Sequence, residues 1–290
     1  MTSPPAAGPQ QAAPGGTEPV KLWFCPNDEL APAIAATLAT HWFDEHEREI
    51  AARFLFERDR RQYLVAHALV RRVIALETGI PEAEAVIWRS SRGRPFLQKP
   101  GQGLPRGGAE LDFNLSHAHG HNLLGVVRRH RIGVDVERLD RGERGFTTIV
   151  ETFAPEEQRW AAAAAPGRPR DRRILRLWTL KEAYAKARGL GLGLAFDSFA
   201  FHLAEDTGVL GFRPPPDEPP ARWRFMELEP VPDVLASVCV AADTGHSQTL
   251  HLYHGFPWSR TAHRQFPLPE PAPAPAPETA PAPLAMRAPQ

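Results

Sequence analysis

Apolar positions along the chain follow two rhythms, and the switch between them predicts the elements. Val20-Lys-Leu-Trp-Phe-Cys25 alternates and predicts a strand. Ile34–Trp42 and Phe43–Phe56 predict two shorter helical stretches. From Asp59 to Thr78, Tyr63, Ala66, Val70, Val73 and Ile74 recur at helical spacing, with Gly79 as a stop and Pro81 beyond it. Val86–Arg89 and Pro95–Leu97 predict short strands around a turn at Gly93, and Leu111–Leu115, Asn122–Val127 and Ile132–Glu137 predict a meander. The theme then repeats. Thr147–Phe153 and Pro155–Ala164 predict helices, and Asp171 is expected to cap a long one running to about Ala187, closed by Gly189. Strands are expected at Ser198–Leu203, Arg222–Glu227, Val234–Ala241 and Thr249–Tyr253. Two rounds of long helix and small meander predict an α+β fold of two similar lobes, each a long helix packed on a small, mostly antiparallel sheet.

Composition changes this picture at the ends. The chain has 290 residues and 31 prolines, five of them in residues 1–19 and nine in residues 267–290. Neither stretch has an apolar period, so both are expected to be disordered tails, the second an extended Pro-Ala chain. The expected organisation is a tail over 1–19, lobes over 20–130 and 131–266, and a tail over 267–290. Thirty-four basic and 34 acidic residues sum to zero, which argues against a generally basic nucleic-acid binder. No apolar run approaches the ~18 residues of a membrane span, and the N-terminus has no secretory pattern. Two cysteines fit a reduced, cytoplasmic chain.

Chemistry concentrates in a few places. In Gly133-Val-Asp-Val-Glu137 the two acids stand two apart in a strand and share a face, an arrangement suited to a hard divalent cation such as Mg²⁺. Like charges on one face repel unless something positive sits there. In Trp178-Thr-Leu-Lys-Glu-Ala-Tyr-Ala-Lys186, Glu182 and Lys186 are four apart on a helix, a spacing that also describes an ordinary surface pair. Phe113-Asn-Leu-Ser-His117 places a Ser-His pair at a strand end, able to donate to an anion and lacking a third group for a hydrolase triad. His117, His119 and His121 fit no familiar zinc spacing. Eight Lys/Arg lie in residues 168–188, whereas 203–243 holds eight acids and three arginines. The neutral sum therefore hides a polarised chain, and a basic region beside paired carboxylates suggests a polyphosphate with its metal.

Taken in order, Leu69-Val-Arg71, Gly93-Arg-Pro95, Phe113-Asn-Leu-Ser-His117, Gly133-Val-Asp-Val-Glu137, Phe153-Ala-Pro-Glu-Glu157 and Trp178–Lys186 resemble the motifs of the Sfp-type 4′-phosphopantetheinyl transferases. The resemblance spans about residues 51–198. It implies two pseudo-symmetric lobes with coenzyme A between them, in a monomer. It also implies Mg²⁺-dependent transfer of 4′-phosphopantetheine from coenzyme A to a serine of an apo acyl or peptidyl carrier protein, releasing adenosine 3′,5′-bisphosphate. By motif match, Asp135, Glu137 and Glu182 would hold the metal, and Glu182 or a metal-bound water would take the serine proton. Lys186 would stabilise the bridging and leaving oxygens. Ser116 and His117 would bind the 3′-phosphate, with Arg71, Arg94, Lys181 and Arg53 as further coenzyme A contacts and Glu157 near the metal. Arg94 stands where the family often has lysine, and the 100–108 insertion and the Pro-Ala tail are not family features. The readings held against this one are a metal-dependent nucleotide phosphohydrolase and a non-catalytic carrier-binding subunit.

Overall fold

The computed structural model describes residues 18–98, 110–140, 143–218, 222–241, 248–258 and 264–274. The tail expected over 1–19, the 100–108 loop and the C-terminal tail beyond residue 274 lie almost wholly outside these residues. The first part of the chain forms β1 (Val20–Pro26), α1 (Pro32–Trp42), α2 (Glu45–Ala52), α3 (Glu57–Thr78), β2 (Val86–Arg89), β3 (Pro95–Gln98), β4 (Leu111–Ala118) and β5 (His121–Arg128). The second forms β6 (Ile132–Arg138), α4 (Glu143–Val150), α5 (Pro155–Ala162), α6 (Arg168–Arg188), β7 (Ala200–Leu203), β8 (Val209–Arg213), β9 (Trp223–Leu228), β10 (Val234–Ala241), β11 (Thr249–His254) and β12 (Arg264–Pro267).

Strand alternation arranges these elements in four layers. Trp23 and Cys25 on one face of β1 join Leu64, Ala68 and Leu69 of α3 in one core. Val20, Leu22 and Phe24 on the other face join Val134 and Val136 of β6 and Val238 and Val240 of β10 in a second. Leu235 and Cys239 on the far face of β10 join Leu177, Leu180 and Tyr184 of α6 in a third. The order is therefore long helix, five-stranded sheet β12-β11-β1-β5-β4, three-stranded sheet β6-β10-β9, long helix. This is the expected α+β architecture, with the two sheets packed face to face between the helices.

Two glycines position the layers. Gly79 ends α3 at φ 77°, a left-handed stop that costs other residues strain. Gly133 lies where α6 crosses β6: a Cβ there would stand 1.9 Å from the carbonyl oxygen of Ala183. Only glycine lets the helix approach the strand this closely, and that approach brings α6 side chains against Asp135.

The sequence expectation and the structure differ in several places. Gly167, at φ 82°, precedes the first residue of α6, and Asp171 sits inside its first turn instead of capping it. Two strands are absent from the sequence reading: β8, which pairs with β7 across a bulge and whose apolar pattern Gly211 interrupts, and β12, which pairs with β11. The segment from Pro267, expected to be a disordered tail, is docked as far as it is described. Leu268 N donates to Gln248 O at 2.8 Å, Phe212 N donates to Pro273 O at 2.9 Å, and Leu268 and Ala272 are buried. Strand pairing also crosses the lobe boundary expected at residue 130, because β11 pairs parallel with β1 and carries β12 beside it. No helix among the described residues is long and apolar enough to cross a membrane.

Candidate active site

The two sheets meet at their edge strands, β4 and β6, and the candidate site lies where α6 passes that seam. Asp112, Asn114 and Ser116 alternate along β4 and face β6. Ser116 Oγ donates to Asp135 Oδ1 at 2.7 Å. Lys186 Nζ, from the last turn of α6, donates to the same oxygen at 2.5 Å and to Ser116 Oγ at 3.0 Å. Asp135 is 4% exposed, and its second oxygen, Oδ2, is buried without a hydrogen-bond partner. A buried carboxylate oxygen left bare is costly unless something occupies its lone pairs.

Glu182 lies one helical turn before Lys186. Its carboxyl is held above the usual carboxylate range, by burial first, with Asp135 adding to the shift and Lys186 opposing it. A carboxyl so raised is a better proton acceptor than a solvated one. Glu137, two residues after Asp135, lines a neighbouring cavity.

Two cavities flank this group. One, of about 320 Å³, runs between the first-lobe elements and the end of α6, with Arg89, Arg92, Arg94 and Lys186 in its walls. The other, of about 420 Å³, lies between α3 and the β4–β5 turn and is lined by Phe54, Tyr63, Gln62 and Glu137. His67, Leu115 and His117 line both. His117 is exposed at this shared wall, and its pKa is lowered by its partial removal from water first and by the Lys186 charge second. A neutral imidazole there can donate one hydrogen bond to an anion without carrying charge of its own.

The structure brings Asp135, Glu182, Lys186, Ser116 and His117 together, but Ser116, expected to bind the 3′-phosphate, is buried and has its hydroxyl engaged by Asp135 and Lys186. It gives four other candidates different work. Arg71 is fully buried, and its guanidinium donates to Glu47 Oε2, Glu82 O, Ala85 O and Asp44 Oδ2 at 2.6–3.1 Å. Glu47 in turn meets His67 Nδ1 at 2.9 Å, so Arg71 reaches the cavities only through other side chains. Arg94 is in the cleft wall, but its Nη atoms donate to Asp112 Oδ2 at 2.6 Å, to Ile132 O and to Lys186 O. Lys181 has no exposure and is closed in a core pair with Glu157 at 2.7 Å, which also removes Glu157 from the metal region. Arg53 is exposed beside Glu49 and lines neither cavity. The helix and strand patterns place these residues on elements, and only tertiary packing says which cations are already satisfied.

Arg89 and Arg92 were missed. They flank the turn at Gly93, and the signal was present: three arginines within six residues, at 89, 92 and 94, on a short hairpin whose turn points at the cleft.

Among the described residues, no group of three or more His, Cys, Asp or Glu side chains is gathered to hold a metal ion. What fits a hard cation is the donor chemistry: a carboxylate pair in which Asp135 is near enough to raise the Glu182 pKa, with Asp135 Oδ2 buried and unpartnered.

Two family models match the chain. "4′-phosphopantetheinyl transferase, N-terminal" matches residues 33–125, and "4′-phosphopantetheinyl transferase superfamily" matches residues 131–241. A phosphopantetheinyl transferase of Thraustochytrium is 32% identical over 199 residues, 64% of each chain. The 4′-phosphopantetheinyl transferase HetI of Nostoc is 28% identical over 225 residues, 78% of this chain and 89% of that one. The 4′-phosphopantetheinyl transferase psf-1 of Bacillus pumilus is 27% identical over 184 residues, 63% of this chain and 73% of that one. The crystal structure of a Thermotoga maritima holo-[acyl-carrier-protein] synthase overlaps 41% of this chain and 67% of that one, with a TM-score of 0.32 and 19% identity, too partial to bear on the site.

Proposed function

Because the chain belongs to the 4′-phosphopantetheinyl transferase superfamily, we propose that it transfers 4′-phosphopantetheine from coenzyme A to a serine hydroxyl of an apo acyl or peptidyl carrier protein, releasing adenosine 3′,5′-bisphosphate. The observation that carries this reading is the junction of Asp135, Ser116 and Lys186, with Glu182 close by, reached from an arginine-walled cleft that Lys186 itself lines.

The residues divide the work by charge and position. Arg89, Arg92 and His117 bind coenzyme A phosphates in the cleft, the arginines as charge-assisted donors. Asp135 and Glu182, with Glu137 on the same strand, would hold Mg²⁺; when bound, the metal neutralises charge on the phosphate under attack and on the leaving phosphate. Glu182, or a metal-bound water, accepts the proton of the carrier serine. Lys186 holds Asp135 Oδ1 and Ser116 Oγ with two of its three donors and turns the third toward the leaving oxygen. Both halves of the site come from one chain, so a monomer suffices, working on cytoplasmic carriers with no nucleic acid or membrane involved.

The test is incubation with coenzyme A, Mg²⁺ and a panel of apo carrier proteins, read by intact mass. The expected result is a mass increase of one phosphopantetheine on at least one carrier, abolished by chelation. Coenzyme A hydrolysis without any carrier would sink the reading in favour of a phosphohydrolase. Carrier binding with no turnover would sink it in favour of a binding subunit.

A further inference from the structure

The seam between the two sheets is not joined by backbone pairing. β6 is the edge of its sheet and uses its inner side for β10. β4 is the edge of the other sheet and uses its inner side for β5. The outward amides of β6 are instead met by side chains. Ile132 N donates to Asp112 Oδ2 at 2.9 Å, and Val134 N donates to Asn114 Oδ1 at 2.8 Å. The third side chain in the same alternation is Ser116, and its partner is no longer an amide but Asp135 Oδ1, at 2.7 Å. Three rungs thus climb β4 two residues at a time. The first two fix the height of β6 against β4, and the third delivers the hydroxyl that orients the Asp135 carboxylate.

The rung below is itself braced. Asp112 Oδ2 also accepts from Arg94 Nη2 at 2.6 Å, and Arg94 Nη1 donates to the Lys186 carbonyl. One carboxylate therefore ties together β4, β6, the hairpin turn at Gly93 and the end of α6. Asn114, Asp112 and Ser116 are all buried, at 6%, 2% and 6% exposure. A buried amide whose side-chain partner is removed is left unsatisfied, which costs the strand its fixed position.

We infer that Asn114 is a positioning residue: with Asp112 it sets the register between the two lobes so that the Ser116 hydroxyl holds Asp135 Oδ1 and leaves Oδ2 without a protein partner. Asn114 lines the cleft wall, but what it holds is the strand that carries Asp135. This inference rests on the proposed transferase reading for its kinetic consequences, and on geometry alone for its effect at Asp135.

The test is a double-mutant cycle of Asn114→Ser and Ser116→Ala, read in two ways. The first readout is kcat against KM for coenzyme A in the carrier-labelling assay. The second is Mg²⁺ affinity by calorimetry in the presence of coenzyme A, which needs no turnover. Each single variant is expected to lose about 10- to 100-fold in kcat and in Mg²⁺ affinity, the size seen when a partner of a metal-holding group is removed, with KM within about twofold. The double variant is expected to lose no more than the worse single one, because both act through one carboxylate. Asn114→Asp keeps the acceptor oxygen and is expected to retain wild-type kcat, which covers the case in which Asn114→Ser does not fold. Multiplicative losses in the double variant, a change in KM alone, or equal damage from Asn114→Asp would overturn the positioning role. If wild type labels no carrier while the Mg²⁺ cycle remains non-multiplicative, the transferase reading fails and the positioning role stands.

Discussion

Helix α6 carries two lysine–carboxylate pairs five residues apart, and they have opposite fates. Lys181 and Glu157 are both without exposed side-chain surface. The Lys181 ammonium donates to Glu157 Oε2, Phe196 O and Phe199 O at 2.7–2.9 Å and lies 4.1 Å from the centre of the Phe199 ring. Glu157 accepts in addition from Ala154 N and Phe201 N. Three donors and both oxygens are occupied, so the pair is closed. Lys186 and Asp135 make an equally short contact, but Lys186 keeps 24% of its side-chain surface and Asp135 Oδ2 has no partner. The contrast teaches that charge and burial do not by themselves mark a functional pair. The mark is a buried polar atom that the fold has left unsatisfied beside a cleft.

The largest test of that contrast removes the open pair. Asp135→Ala is expected to lower turnover by roughly a thousandfold, with the thermal transition within a few degrees of wild type, checked by carrier labelling and calorimetry. Wild-type turnover would break the assignment of chemistry to the open pair. Next in size is the closed pair. Lys181→Met leaves Glu157 buried and uncompensated, so a stability loss of about 3–5 kcal/mol is expected by denaturant titration, with kcat largely kept under conditions where the protein remains folded. Lys181→Met with Glu157→Gln should recover much of that loss.

The pH profile sharpens the same pair. Burial first, opposed by Glu157, lowers the Lys181 pKa from 10.5 to about 8. Between these values the unfolded chain holds a proton that the folded protein has released, so this group's contribution to stability rises with pH across the window and is level on either side of it. Lys181→Met should remove that slope. A smaller effect is expected at the shared wall of the cavities: His117→Ala should raise KM for coenzyme A about tenfold with kcat within about twofold, if as proposed it binds a phosphate remote from the reaction. The smallest belongs to a cation that neither region claims. Arg53→Ala should change kcat/KM by less than about twofold, because its exposed contact with Glu49 is solvent-screened.

Much of the frame was legible because it is written in local periodicity. The Tyr63–Ile74 spacing predicts α3, and the alternation about Asp135 predicts a strand with its valines in the core, as they are. The order of motifs also named Ser116, Asp135, Glu182 and Lys186, which the structure places near one another. What escaped is long-range. Arg71 and Lys181 carry motif positions, yet their charges are absorbed by Glu47 and Glu157, partners that no spacing rule points to. The docking of residues 267–274 escaped for a similar reason. A Pro-Ala segment has no apolar period, but its carbonyls can still accept from Phe212 and Arg224 at a sheet's edge.

The parallel pairing of β1 with β11 has a consequence for synthesis. Residues 20–24 pair with residues 250–254, so β1 is completed on that side only by a strand made much later. At 5–20 residues per second on a ribosome, the two are separated by roughly 10–50 seconds. During that interval β1 can pair with β5 but presents its other edge, with Leu22 and Phe24 lacking their packing partners on β11. The nascent first lobe is therefore the stage at which this protein most needs a chaperone's cover, and fragments ending before residue 249 should be the ones that aggregate.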